Sequence, residues 1–143
     1  MSFSLDLDFG NIYEKKLIEI LPNDSYIIKE GYFPYYDVEI VKDGIITKYE
    51  VKADRYTYKT GNIAIEFECN GKASGIKTTQ ADYYAYYVVK PYNLFELYII
   101  PTQLLKDKIN SKEYKRIIFG GDNKNSKMYI FDLELFLENK YNL

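Results

Sequence analysis

The stretch YYDVEIVKDGIITKYEVKAD, Tyr35 to Asp54, alternates apolar and polar residues on both sides of Asp43-Gly44. Asp-Gly between two alternating runs is a strong local hairpin signal, because a type I′ turn needs positive φ at both central residues. With Asp43 and Gly44 there, Lys42 faces Ile45, Glu39 faces Lys48, and Asp37 faces Glu50. Lys52 shares the face of Glu50, because side chains alternate along a strand. Tyr36, Val38, Ile40, Tyr49 and Val51 lie on the other face and are predicted to meet the core. A three-residue loop would shift the register by one and exchange the faces.

The polar face carries a contradiction. Glu39 opposite Lys48 is what a solvated face favours. Asp37 opposite Glu50 is not, since like charges directly across a ladder destabilise it. A divalent cation would turn that repulsion into attraction. Two carboxylates on neighbouring strands suit Mg²⁺, which takes few protein oxygens and keeps several waters. A lysine beside them orients or deprotonates a metal-bound water and offsets negative charge as it develops. These are the parts phosphodiester hydrolysis requires, so Asp37, Glu50 and Lys52 are candidate catalytic residues.

Composition narrows the alternatives. The chain has no histidine, which removes Ser-His-Asp triads, Cys-His dyads and His-ligated zinc. One cysteine, Cys69, allows neither an internal disulfide nor a zinc cluster. Acid–base work is left to carboxylates, lysine, tyrosine or metal-bound water. No apolar run approaches the roughly 20 residues that span a bilayer. MSFSLDLDFG lacks the basic start of a signal peptide, and an intracellular location is expected. Net charge is −2, which counts against a broadly basic DNA-binding surface. The bases are unevenly spread. Lys42 to Lys77 holds seven basic and five acidic residues, whereas residues 1–41 hold three and eight. Modest, salt-sensitive DNA affinity follows.

Along the chain, Asn11 to Leu21 is predicted helical, N-capped by Asn11 and stopped by Pro22. Glu14 then sits in the first turn, either serving the helix dipole or reaching the carboxylate pair. Tyr26 to Lys29 reads as a short strand, and Arg55 to Asn62 as a loop. IAIEFEC alternates strictly, as a strand does; its Glu66 is an outward charge or an added ligand. Asn70 to Thr79 is a loop whose Lys72, Ser74 and Lys77, with Arg55 and Lys59 before it, either grip phosphates or are simply solvated. QADYYAYYVVK is predicted helical, capped by Thr78 or Thr79, with Gln80 and Tyr84, and Tyr83 and Tyr87, four apart. Leu94 to Ile100 is a strand and PTQLLKDKIN a helix. Tyr114 to Ser126 holds a strand and a Gly-Asn-rich loop, in which Gly120-Gly121 is too isolated a pair to cradle phosphate. KMYIFD is a strand, and LELFLEN a helix capped by Asp132. This order predicts an α/β sandwich with a mixed sheet, in one domain spanning 1–143.

Asp37 and the Glu50-Val51-Lys52 triplet together resemble the PD-(D/E)XK nuclease superfamily. The order and spacing of Glu14, Asp37, Glu50 and Lys52 resemble most its archaeal Holliday-junction resolvases, which are dimeric, Mg²⁺-dependent cutters of branched DNA. No proline directly precedes Asp37; Pro34 is the nearest, a departure the superfamily tolerates. Gln80-x-x-x-Tyr84 resembles a motif of the RecB and lambda-exonuclease branch. The run from Lys59 to Val88 is similar to small nuclease-like proteins of phages and other DNA viruses. The resemblance covers roughly residues 12–87. It implies a restriction-endonuclease-like core, a mixed central sheet flanked by helices, over about residues 11–100, with a tail at 101–143. It implies Mg²⁺, or Mn²⁺ in its place, held by Asp37, Glu50, Glu14 and the Val51 backbone carbonyl, with Gln80 beside them. The expected activity is DNA endonuclease, structure-selective and acting as a homodimer with no membrane partner. An exonuclease, a nickase, or a non-catalytic DNA-binding or assembly module of the same fold are the alternatives.

Overall fold

Asp43 and Gly44 adopt φ of 52° and 77°, the left-handed pair that a type I′ turn demands. The computed structural model describes residues 3–120 and 125–143. Its first strands are β1 (Ser25–Ile28), β2 (Val38–Lys42) and β3 (Ile45–Asp54). Around the turn Lys42 pairs with Ile45, Glu39 with Lys48 and Val38 with Tyr49, the register the sequence predicts. Tyr36, Val38, Ile40 and Tyr49 are buried as expected, and Val51 is half-buried.

After β3, Asp54 accepts the amides of Tyr56 and Thr57 at 2.7 and 3.2 Å and starts a one-turn helix, α2 (Thr57–Thr60). Gly61 ends it in the left-handed conformation, φ 72°. The segment predicted as a plain loop is therefore a capped turn of helix. The chain continues as β4 (Asn62–Cys69) and β5 (Lys72–Ala73). It returns to the first sheet as β6 (Tyr83–Val89), parallel to β3, and β7 (Phe95–Pro101), antiparallel to β6. The first sheet is thus mixed, in the order β1-β2-β3-β6-β7.

The helix expected over QADYYAYYVVK is instead β6. Every residue from Tyr84 to Val89 is buried. Tyr84, Tyr86 and Val88 pack in one core, and Ala85, Tyr87 and Val89 in another on the opposite face. A strand buried on both faces reads as a continuous apolar run, and the tyrosines and paired valines favour it over helix. Thr78 and Thr79 accordingly cap no helix.

The helix α1 (Phe3–Ile20) also departs from expectation, since it begins well before Asn11. Gly10 and Asn11 lie inside it, at the modest cost of about 1 kcal/mol that a mid-helix glycine carries. Glu14 is therefore not in a first turn, and the helix dipole does not explain it. Tyr13 and Leu17, four apart, are buried against Val38, Tyr49, Tyr87 and Leu97.

The other face of the mixed sheet is covered by a second sheet rather than by helices. The helix α3 (Thr102–Asn110) leads to β8 (Arg116–Gly120) and β9 (Ser126–Asp132). The order β5-β4-β9-β8 is antiparallel throughout. Ile63, Ile65 and Phe67 of β4 and Phe131 of β9 bury themselves with Tyr84, Tyr86 and Val88. Residues after 101 therefore complete the sheet that β4 needs. The chain closes with a 3₁₀ helix, Leu133–Asn139, whose Glu134 amide donates to Asp132 at 3.1 Å, as the sequence predicts. Gly121 of the predicted Gly-Asn-rich loop lies outside the described residues. Among the described residues, no helix is long and apolar enough to cross a membrane. The architecture is mixed α/β with a mixed central sheet and few helices.

One glycine holds the crossover in place. Gly75 has φ +53°, and a Cβ there would lie 2.1 Å from the Glu66 carbonyl oxygen. Gly71 has φ +77° but open space around it. Gly75→Ala is expected to cost about 2–4 kcal/mol, against about 1 kcal/mol for Gly71→Ala, because only the first adds a backbone clash to conformational strain. Urea denaturation of both variants checks this; equal losses would mean the loop gives way freely.

Candidate active site

The hairpin register carries Asp37 opposite Glu50, one step beyond the last paired residues, Val38 and Tyr49. The Asp37 amide donates to the Tyr49 carbonyl at 2.9 Å, extending the ladder. The Asp37 carboxylate accepts the Val51 amide at 2.8 Å. Glu50 is 8% exposed, the most buried acid among the described residues. Lys52 Nζ lies 4.0 Å from Glu50 Oε2 on the same face. Glu14 approaches from α1, half-buried.

Electrostatics binds these groups together. Burial and then the charges of Asp37 and Glu50 push Glu14 up to about 7. Burial raises Asp37, against the Val51 hydrogen bond and the Lys52 charge. Burial, then Asp37, raises Glu50, while Lys52 and the Thr79 hydroxyl oppose the rise and Glu66 adds to it. A cluster of acids that burial keeps partly protonated is a common mark of a functional site.

Two hydroxyls complete the surroundings. Thr79 Oγ1 lies 3.4 Å from Glu50 Oε1 and 3.1 Å from the Tyr35 carbonyl, and accepts the Ala81 amide at 3.0 Å. Tyr84 pairs with Glu50 across β3 and β6, so both point to one face. Its hydroxyl is fully buried and has no hydrogen-bond partner among the described residues. Burial and the charges of Glu50, Asp37 and Glu66 raise its pKa well above the ordinary tyrosine value.

Gln80 is exposed, and its amide donates to the Tyr35 carbonyl at 2.7 Å. With no helix there, it is Thr79, not Gln80, that touches the pair. Glu66 does not border Glu50 in a sheet, since β4 belongs to the other one, yet its charge reaches Glu50. Its carboxylate accepts the Ser74 hydroxyl at 3.1 Å.

Beyond Lys52 opens a cleft of about 880 Å³. Register explains its floor. Ala64, Ile130 and Arg116 align across β4, β9 and β8, as do Glu66, Met128 and Ile118, so all share one face of the second sheet. The end of β3, Lys52 to Arg55, forms the facing wall. Lys52, Arg55 and Arg116 supply positive charge. Two nearby acids are already engaged: Glu66 by Ser74, and Asp54 by the Tyr86 hydroxyl at 2.5 Å. Arg116 had no local signal, because only long-range strand pairing brings it here. Lys59 lines a smaller adjoining hollow with Arg55. Lys72 and Lys77 are exposed on the β4–β5 side and do not line the cleft. Lys77 Nζ sits 5.0 Å from the Phe67 ring centre.

Among the described residues, no three His, Cys, Asp or Glu side chains stand close enough as placed to hold a metal ion. The donor set nonetheless fits a hard divalent cation. It offers carboxylate oxygens, and the buried Tyr84 hydroxyl, on the face of Glu50, has no partner among the described residues. Comparison of the chain with protein-family models, curated proteins and solved structures finds no match. The fold and site define a class by themselves: a mixed α/β protein with a buried glutamate facing a half-buried aspartate, a lysine beside them, and a cleft whose charged lining is three bases and two acids.

Proposed function

We propose that this chain is a metal-dependent nuclease with a restriction-endonuclease-like core, hydrolysing phosphodiester bonds in DNA. The observation that carries the reading is the half-buried Asp37 opposite the buried Glu50, with Lys52 on the same face and lining the adjoining cleft, which the two acids themselves do not line. Burial, and then the facing Asp37, raise Glu50, and such a raised carboxyl costs stability at neutral pH unless a cation offsets it. Asp37 and Glu50 would hold Mg²⁺ or Mn²⁺, with Glu14 and the Val51 carbonyl as further donors. Such an ion supplies Lewis-acid polarisation of the phosphoryl group and an acidified water. Lys52 places a positive charge where negative charge develops and orients the attacking water. Arg55 and Arg116 hold the flanking phosphates. Glu14, raised to about 7, is divided between acid and carboxylate near pH 7 and can carry a proton at its carboxyl oxygen.

The favoured substrate is branched DNA, cut by a homodimer, because two symmetric cuts need two active sites related by a twofold axis. Cleavage of a labelled four-way junction beside its linear arms, with Mg²⁺ or Mn²⁺, tests both levels, using the parent and Glu50→Ala. Paired symmetric cuts in the junction alone, lost in the variant, are expected. Cutting of the linear arms would keep the nuclease, as an exonuclease, nickase or general endonuclease, and discard the resolvase. Binding without cleavage of either would point to a DNA-binding or assembly module.

A further inference from the structure

We propose that a second surface, next to the cleft, holds unpaired nucleotides of single-stranded nucleic acid. The hollow has a volume of about 380 Å³ and shares Phe9, Arg55 and Tyr56 with the catalytic cleft. Tyr56, Tyr58 and Tyr92 all line it and all are exposed, at 73%, 39% and 94%. Rings this exposed contribute little to the core. The Arg55 guanidinium carbon lies 3.7 Å from the Phe9 ring centre, a cation–π contact that leaves its N–H donors able to reach phosphate. Lys59 Nζ is 5.6 Å from the Tyr58 ring centre. Among the described residues, neither Arg55 nor Lys59 is in a salt bridge; Lys90, also in the lining, is tied to Glu96 at 3.3 Å.

Tyr92 is placed at a conformational cost. It and Asn93 both take left-handed backbone, φ 64° and 60°, at the tip of the β6–β7 turn. Glycine would relieve that strain, and a tyrosine almost wholly in solvent gains nothing there by packing. A ring held out in solvent by its backbone is open to stacking on a base. Alternating aromatic faces and cations bind single strands, because every base has a π-face and every linkage a phosphate. A duplex hides its base faces, so it would leave these rings idle. The surface therefore suits a strand that leaves the cleft unpaired. This inference rests on the nuclease reading for the identity of the strand, though not for the chemistry of the surface.

The test is binding of fluorescein-labelled oligothymidylate and of a blunt duplex to the full chain, by anisotropy, in EDTA. Tyr58→Ala/Tyr92→Ala, at two rings that line only the hollow, is expected to weaken oligothymidylate binding about tenfold or more, leaving duplex binding unchanged. Tyr58→Phe/Tyr92→Phe should bind like the parent, since stacking needs the ring and not the hydroxyl. Unchanged oligothymidylate affinity in the alanine variant overturns the proposal. Equal loss of duplex binding, or failure of the phenylalanine variant, also overturns it. A tailed duplex incubated with Mn²⁺ separates the two readings: the expected binding pattern without any cleavage removes the nuclease and leaves the single-strand surface standing.

Discussion

Lys52→Ala is expected to lower DNA cleavage by on the order of 10²–10³-fold or more, the scale seen when one preorganised charge donor is removed from a transition state. DNA affinity should change little. The Lys52 side chain is 42% exposed, so its loss opens no cavity. Its ammonium lies 4.0 Å from one Glu50 oxygen, a weak ion pair whose removal costs little stability. Binding would still rest on Arg55 and Arg116 in the cleft. The effect should therefore fall on turnover rather than on complex formation, which single-turnover cleavage and anisotropy separate. Arg55→Ala should do the opposite, weakening binding and its salt dependence while single-turnover cleavage at saturation persists. A Lys52→Ala protein that cuts at the parent rate would remove Lys52 from the chemistry.

The site was legible where short-range rules govern it. Asp43-Gly44 fixes the turn, the turn fixes the register, and the register alone puts Asp37, Glu50 and Lys52 on one face. Glu14 and its helix were legible, but the start of the helix was not, because Asn11 reads as an N-cap and lies instead within α1. β6 was misread for a different reason. An apolar run with tyrosines four apart fits a helix face and a doubly buried strand equally well, and only burial on both sides decides between them. That error displaced Thr79, read as a helix cap, from its place against Glu50, and gave Gln80 a helix it does not have. The second sheet depends on β4 meeting β9, which lies far along the chain, so neither the cleft floor nor Arg116 had any local signature.

Metal-free protein should lose stability as the pH rises from about 4.5 toward and past 7, and recover it when Mn²⁺ or Mg²⁺ is added at pH 8. Glu14, Asp37 and Glu50 all have folded-state pKa values raised above their ordinary ones, chiefly by burial. The sign follows from proton counting. Between the unfolded and folded pKa values the native state binds more protons than the unfolded chain, so unfolding becomes easier with each step up in pH. The contribution is whole below the unfolded carboxyl range and gone once pH passes the folded values. For Glu14 that upper limit is about 7. Glu50→Gln removes the most buried member of the group while keeping its shape. It is expected to stabilise the metal-free protein at pH 8 by about 1–3 kcal/mol, to flatten the pH dependence, and to abolish the rescue by Mn²⁺. Thermal unfolding at pH 5 and pH 8, with EDTA or Mn²⁺, measures all three effects on one pair of proteins. A melting temperature that rises across this interval, or Mn²⁺ rescue that survives Glu50→Gln, would mean that these acids are not the strained cluster that a cation completes.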